Sequence, residues 1–137
     1  MSMYISETVK SAVIERAFDE CEYCRLPNSF AFHNHEADHV VPIKHGGETI
    51  FENLALSCWR CNRHKGSDVG SFDFEADGSI TRFFNPRIDG WAEHFRLEKS
   101  EIVPLTAIAR VTIKILRMNG DDRIEERNEL IEAGLYE

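Results

Sequence analysis

The chain has 137 residues, 42% of them apolar and 10% aromatic, with 24 acidic and 16 basic residues and a net charge of −8. That length predicts one domain spanning 1–137, and the apolar content excludes disorder by composition. No apolar run approaches the roughly 18 residues of a membrane-spanning helix, and residues 1–7 carry no basic stretch leading into an apolar one. The expectation is a cytoplasmic protein in a reducing compartment, where four cysteines point to a metal rather than to disulfides.

The acidic charge is unevenly spread. Residues 21–65 hold five acids and five bases, whereas residues 66–137 hold fifteen acids and nine bases. The neutral stretch contains every cysteine and ends on Trp59, Arg60, Arg63, His64 and Lys65 with no acid among them. A local basic patch of this kind grips phosphate at short range, although the field of the whole chain steers a polyanion weakly.

In chain order, residues 6–20 read as a helix, with Ser6 as N-cap and Val9, Val13, Ala17 and Phe18 at helical spacing. Cys21-Glu-Tyr-Cys24 is a tight knuckle, and Pro27-Asn28 marks a loop. Residues 37–43 (ADHVVPI) read as a strand closed by Pro42 and Gly46-Gly47, and residues 54–57 as a second strand. Cys58-Trp-Arg-Cys61 is a second knuckle, running into a short helix over 62–66. Phe72, Phe74, the turn at 76–78, Ile80 and Phe83 predict a hairpin. Residues 89–95 read as one or two helical turns. Residues 105–118 read as a helix with Ile108, Val111, Ile115 and Met118 on one face and Asn119-Gly120 as its stop. Asp121 or Asp122 caps a last helix to residue 137, carrying Ile124, Ile131 and Leu135 and presenting an acidic, solvated or partner-facing surface.

The cysteines are spaced C-x2-C, thirty-three residues, C-x2-C. Two residues between cysteines let both thiolates of a knuckle face one ion, and two knuckles complete a closed, structural Zn2+ site of Cys21, Cys24, Cys58 and Cys61. The clamp closes a loop containing Asp38, His39 and Asn53, and Asn62 follows the last cysteine directly.

Those four residues suit metal-assisted phosphodiester hydrolysis. A hard cation binds the scissile phosphate, a neutral imidazole takes a proton from water, and a further group orients the imidazole. Asp38 and Asn62 offer oxygens that suit Mg2+ or Mn2+, His39 is the base, and Asn53 is placed to orient it. Glu36 shares strand parity with Asp38 and is a second carboxylate for the same face. The plainer alternative for Asn53 is a turn residue that satisfies backbone groups.

The run E36-A-D38-H39-V-V-P42, G46-G47, N53-L54, C58-W-R-C61-N62-R-H-K65-G66 resembles the HNH endonuclease family. It is closest to the subgroup whose ββα-metal finger, or His-Me finger, is framed by two CxxC pairs. The resemblance covers residues 21–66. It implies an α+β fold, with a zinc-stabilised ββα-metal core flanked by N- and C-terminal helices and a hairpin-and-helix extension over 67–137. It implies Asp38 and Asn62 as metal ligands, His39 as general base, and Asn53 as the residue that positions the loop and the base. Nuclease toxins of the wider family carry histidines where this chain has Asn62 and Gly66. Two protein ligands then remain, and the cation binds weakly until a phosphate joins. F84-N85-P86-R87, W91, H94-F95, T106 and R110 resemble the tail of small bacterial HNH proteins.

The function implied is a metal-dependent HNH endonuclease that hydrolyses DNA. Arg60, Arg63, Lys65 and Arg87 are candidate DNA contacts, with Lys65 about 300° round the helix from Asn62 and so close to its face. One site cuts one strand, so a double-strand break requires a protein partner or a homodimer. The alternatives are a non-catalytic zinc-stabilised DNA- or protein-binding module, or a nuclease subunit active only in a larger complex. For Trp91 and Phe95, at i and i+4, the alternative to base stacking is docking on the core. His33 and His45 read as solvated loop histidines.

Overall fold

The structure is a computed structural model that describes residues 4–136. The first three residues of the N-terminal reading and the last residue of the expected final helix lie outside the described residues. Helix α1 (Glu7–Arg16) starts at Ser6, whose hydroxyl accepts from the Val9 amide at 3.2 Å. It stops earlier than residue 20, because Phe18 and Asp19 take left-handed backbone angles of 54° and 57° and break the helical turn.

Strand β1 (Glu36–His39) pairs antiparallel with β2 (Leu54–Ser57), placing Asp38 opposite Ala55 and His39 opposite Leu54. The strand expected over 37–43 ends at His39. Beyond it Val40 donates to the Asn53 carbonyl, and Pro42 leads into a single 3-10 turn, Ile43–His45. Helix α2 (Trp59–Lys65) begins inside the second knuckle rather than at residue 62, since the Cys58 side chain caps it by accepting from the Cys61 amide. Gly66 closes it with a positive φ of 52°, which glycine adopts at little cost.

The expected hairpin is β3 (Gly70–Phe72) with β4 (Ile80–Arg82). A single helical turn, α3 (Trp91–His94), passes into a second hairpin of β5 (Phe95–Glu98) and β6 (Glu101–Pro104). Sequence reading missed that hairpin, because its turn is carried by Lys99 in the left-handed region with no glycine to announce it. Helix α4 (Ala107–Leu116) is capped by Thr106 and buries Ala109, Val111, Thr112 and Leu116. Helix α5 (Asp121–Glu132) is preceded by Gly120 with no side-chain cap. Asp121 and Asp122 sit in its first turn instead, where carboxylates favour the positive end of the helix dipole.

Two apolar clusters form the core. The larger gathers the four cysteines with Tyr23, Phe84, Phe95, Ile102, Leu116 and Met118. The smaller, of Val13, Ala17, Leu54 and Leu56, fixes α1 on β2. The class is α+β, as expected, with β1–β2–α2 at its centre. Among the described residues no helix is long and apolar enough to cross a membrane.

Candidate active site

The two knuckles meet. The sulfurs of Cys21, Cys24, Cys58 and Cys61 all lie within 4.8 Å of one another, and all four residues are buried. Cys24 and Cys58 Sγ are 3.7 Å apart, against about 3.8 Å for the edge of a tetrahedron with Zn–S bonds near 2.3 Å. The Cys24 and Cys61 amides point at Cys21 and Cys58 Sγ, at 3.5 and 3.4 Å. This is the donor set and shape of a structural zinc site. Burial pushes the Cys21 and Cys61 thiols up, while hydrogen bonds from the other cysteines hold Cys24 well below the usual thiol range.

One member of this site was not foreseen. Arg123 of α5 is buried and donates to Cys61 Sγ at 2.9 Å and to the Leu116 carbonyl at 2.7 Å. Burial works against its charge, but the sulfurs of Cys61, Cys24 and Cys58 outweigh that and hold its pKa above the ordinary arginine value. Arg127, one turn on, donates to the Ser100 and Met118 carbonyls, both at 2.7 Å. The last helix is therefore docked by two buried arginines, not by its isoleucines, and its inner face is not free for a partner. Leu135, expected on it, lies past its end and is exposed.

Strand alternation puts Glu36 and Asp38 on the face of β1 that α2 covers. There Asn62 Nδ2 donates to Glu36 Oε2 at 3.2 Å. Lys65 Nζ lies 3.2 Å from Asp38 Oδ2, but its hydrogen bond goes to the His39 carbonyl at 2.9 Å. Asp38 Oδ2 is thus buried and held in an ion pair with the Lys65 ammonium. Burial raises the Asp38 carboxyl pKa, with Lys65 opposing. The His39 ring turns to the connecting loop, where Nε2 meets Thr49 Oγ1 at 2.9 Å.

Among the described residues, the Asn53 side chain makes its hydrogen bonds to the loop backbone and not to the His39 ring. Its amide clips the loop shut: Oδ1 accepts from the Val41 amide at 3.0 Å, and Nδ2 donates to the Val41 and Glu48 carbonyls at 3.0 and 2.9 Å. Asn53 thus positions the loop that carries Thr49. Thr49 was invisible in the sequence, because a lone hydroxyl in a loop has no periodic signature.

The model of the HNH endonuclease family matches residues 21–68. The chain is also similar to Septu protein PtuB of Bacillus thuringiensis, at 24% identity over 118 residues, covering 85% of this chain and 43% of that protein. The chain therefore spans less than half the length of that curated relative. No solved structure matches it significantly.

Of the basic residues singled out around the HNH segment, two are corrected by the geometry. Lys65 is 2% exposed and spends its ammonium on Asp38 and His39, so it does not reach a phosphate outside. Arg87 pairs with Glu22 and is largely covered. Arg60 is half-exposed and paired with Glu126 at 3.3 Å. Arg63 is exposed and lies 5.2 Å over the Trp59 ring. In the tail, Trp91 Nε1 donates to the Tyr23 carbonyl at 2.8 Å and its ring packs on buried Phe95. That segment docks the core and is not a stacking surface. His33 and His45 are exposed, as expected. His45 is tied to the Ser67 carbonyl at 2.9 Å.

Proposed function

We propose that this chain is a metal-dependent HNH endonuclease acting on DNA phosphodiester bonds. The observation that carries the reading is the β1–α2 face, where Glu36 and Asp38 of β1 lie against Asn62 and Lys65 of α2 and His39 follows next in the strand. The donors fit a hard cation: they are carboxylate and amide oxygens, and the buried Asp38 carboxylate already pairs with a positive charge, the Lys65 ammonium. Asp38 and Asn62 would hold Mg2+ or Mn2+, and Glu36 stands ready as a further carboxylate. A cation bound there supplies positive charge to the scissile phosphate and the departing oxygen.

The remaining chemistry belongs to the chain. With Thr49 Oγ1 accepting from Nε2–H, the lone pair of His39 rests on Nδ1. Nδ1 takes a proton from the water that attacks phosphorus, the P–O3′ bond breaks, and 5′-phosphate and 3′-hydroxyl ends result. Lys65 anchors the His39 carbonyl and so fixes the strand end from which both Asp38 and His39 project. Asn53 holds the loop, and the zinc clamp holds the hairpin against α2.

A second reading concerns assembly. The net charge of −8, together with the loss of Lys65 and Arg87 as outward cations, leaves little grip on DNA. A protein partner or a second copy supplies that grip in this reading, and with it the second cut of a double-strand break.

The metal assignment is tested by Mn2+ paramagnetic resonance on zinc-loaded protein. Wild type and His39→Ala take up Mn2+, and Asp38→Asn does not, with zinc content equal in all three. Mn2+ uptake indifferent to Asp38 contradicts the assignment.

A further inference from the structure

The described surface carries an aromatic feature that the hydrolysis site does not use. Phe32 is 95% exposed and Trp59 44% exposed. The His33 ring lies between them, 4.9 Å from Phe32 and 5.0 Å from Trp59. These rings line a pocket of about 160 Å3 together with Leu26, Cys58, Arg60 and Glu126. Two cysteines of the clamp, Cys24 and Cys58, are among its lining residues.

Apolar ring faces of this size left in water are costly and mark a binding surface. Three features identify the occupant. A space near ~150 Å3 takes one aromatic ring, so the pocket suits a single planar base. The Arg60–Glu126 pair at its edge, 3.3 Å apart, offers donors and acceptors side by side, as the edge of a nucleobase requires. Arg63, which enters no ion pair among the described residues and lies over the Trp59 ring, puts a free cation where a flanking phosphate would run.

Position ties this pocket to the proposed hydrolysis site. Trp59, Asn62 and Arg63 stand at i, i+3 and i+4 on α2, so their side chains are neighbours, with Cβ atoms about 5–6 Å apart. A strand whose phosphate lies at Asp38 and Asn62 passes Trp59 within one helical turn. Bases stacked inside a duplex do not present a free face to such a pocket, whereas an unpaired base does.

We infer that the Phe32–His33–Trp59 pocket binds an unpaired nucleobase flanking the scissile phosphate, which makes single-stranded or locally opened nucleic acid the preferred substrate. The inference rests on the nucleic-acid reading of the HNH segment and adds the form of the substrate to it.

The test is fluorescence anisotropy of labelled oligothymidine, and of a labelled duplex of equal length, with zinc-loaded protein in a His39→Ala background and without added divalent cation. The single strand binds more tightly than the duplex. Trp59→Ala and Phe32→Ala each weaken single-strand binding about tenfold or more, the range of one lost base stack. Trp59→Phe retains most of the affinity, and duplex binding changes little. Phe32 is so exposed that its loss cannot be ascribed to misfolding, and light scattering reports whether the patch instead joins two copies. Single-strand affinity unchanged by both alanine variants overturns the inference while leaving the nuclease reading intact. A dimer that Phe32→Ala dissociates overturns it in favour of self-association. Failure to bind either probe removes the nucleic-acid reading as well.

Discussion

Thr49 Oγ1 lies 2.9 Å from His39 Nε2, and in the proposed arrangement, with the hydroxyl accepting, Nδ1 is left to take a proton. Groups that orient a catalytic imidazole from behind cost about 10- to 100-fold in activity when removed. Thr49→Val is expected to lower the turnover of DNA cleavage by that factor with the melting temperature little changed, and Thr49→Ser to restore it. Equal turnover in all three proteins would show that Thr49 does not orient the base. Gly47 illustrates the same loop from the side of space. A Cβ there would sit 1.7 Å from the Val41 carbonyl oxygen and 2.9 Å from Asn53 Nδ2. The backbone must move, so Gly47→Ala is expected to destabilise the fold by about 1–3 kcal/mol, read as a fall in Tm. Its damage falls first on the Asn53 clip. A Tm equal to wild type would mean the loop yields freely.

At the scale of elements, the zinc clamp does more than close a loop. It joins the turn after α1 to the start of α2, and through Arg123 it reaches α5. Zinc held by four thiolates would carry net negative charge, and the Arg123 guanidinium at Cys61 Sγ is the cation set against it. Arg123→Ala strips the sulfurs of that partner and leaves the Leu116 carbonyl unpaired, a loss of about 3–5 kcal/mol for a buried charge pair. Zinc release to a chromophoric chelator should accelerate and α5 should lose helicity in circular dichroism. Unchanged release kinetics would separate α5 from the metal. What the sequence revealed at this scale follows its physical signals. Matched CxxC pairs announce a clamp, Ser6 announces a cap, and the 3.6-residue apolar stripe announces α4. The β5–β6 hairpin has no glycine turn, and α5 is held by arginines that read as surface residues. Both were missed because tertiary contacts, not local pattern, decide them. In the candidate site, Asp38, His39, Asn53 and Asn62 were legible as a motif, and Glu36 by strand parity. The burial of Lys65 was not, because the face it shares with Asn62 lies against β1, a tertiary contact with no local signal.

Across the whole molecule, ion pairs tie the C-terminal extension together. Arg110 of α4 grips Asp73 beside β3 with contacts of 2.8–3.3 Å, and Arg82 grips Asp89 at 2.8 and 3.0 Å. Hydrogen bonds from Arg110 and Arg82 hold the Asp73 and Asp89 carboxyls below the usual carboxylate range. Because the folded pKa values lie below the unfolded value of about 4, these contributions are full above that pH. They disappear as pH falls through the folded values. Removing the guanidinium in Arg110→Gln should move the acid unfolding midpoint to higher pH at constant zinc. An unchanged midpoint would show that the Asp73 pair does not govern acid stability.

The central claim is that His39 as base, with Asp38 and Asn62 holding a cation, makes this chain a nuclease. Relaxation of supercoiled plasmid at low salt with Mg2+ or Mn2+ tests it most directly. Wild type and His39→Ala are compared at equal zinc content and with matching circular dichroism. The account predicts that wild type nicks or linearises the plasmid only with the divalent cation and that His39→Ala leaves it supercoiled. Equal cutting by both proteins, or none by either while zinc and fold are intact, contradicts it for the isolated chain.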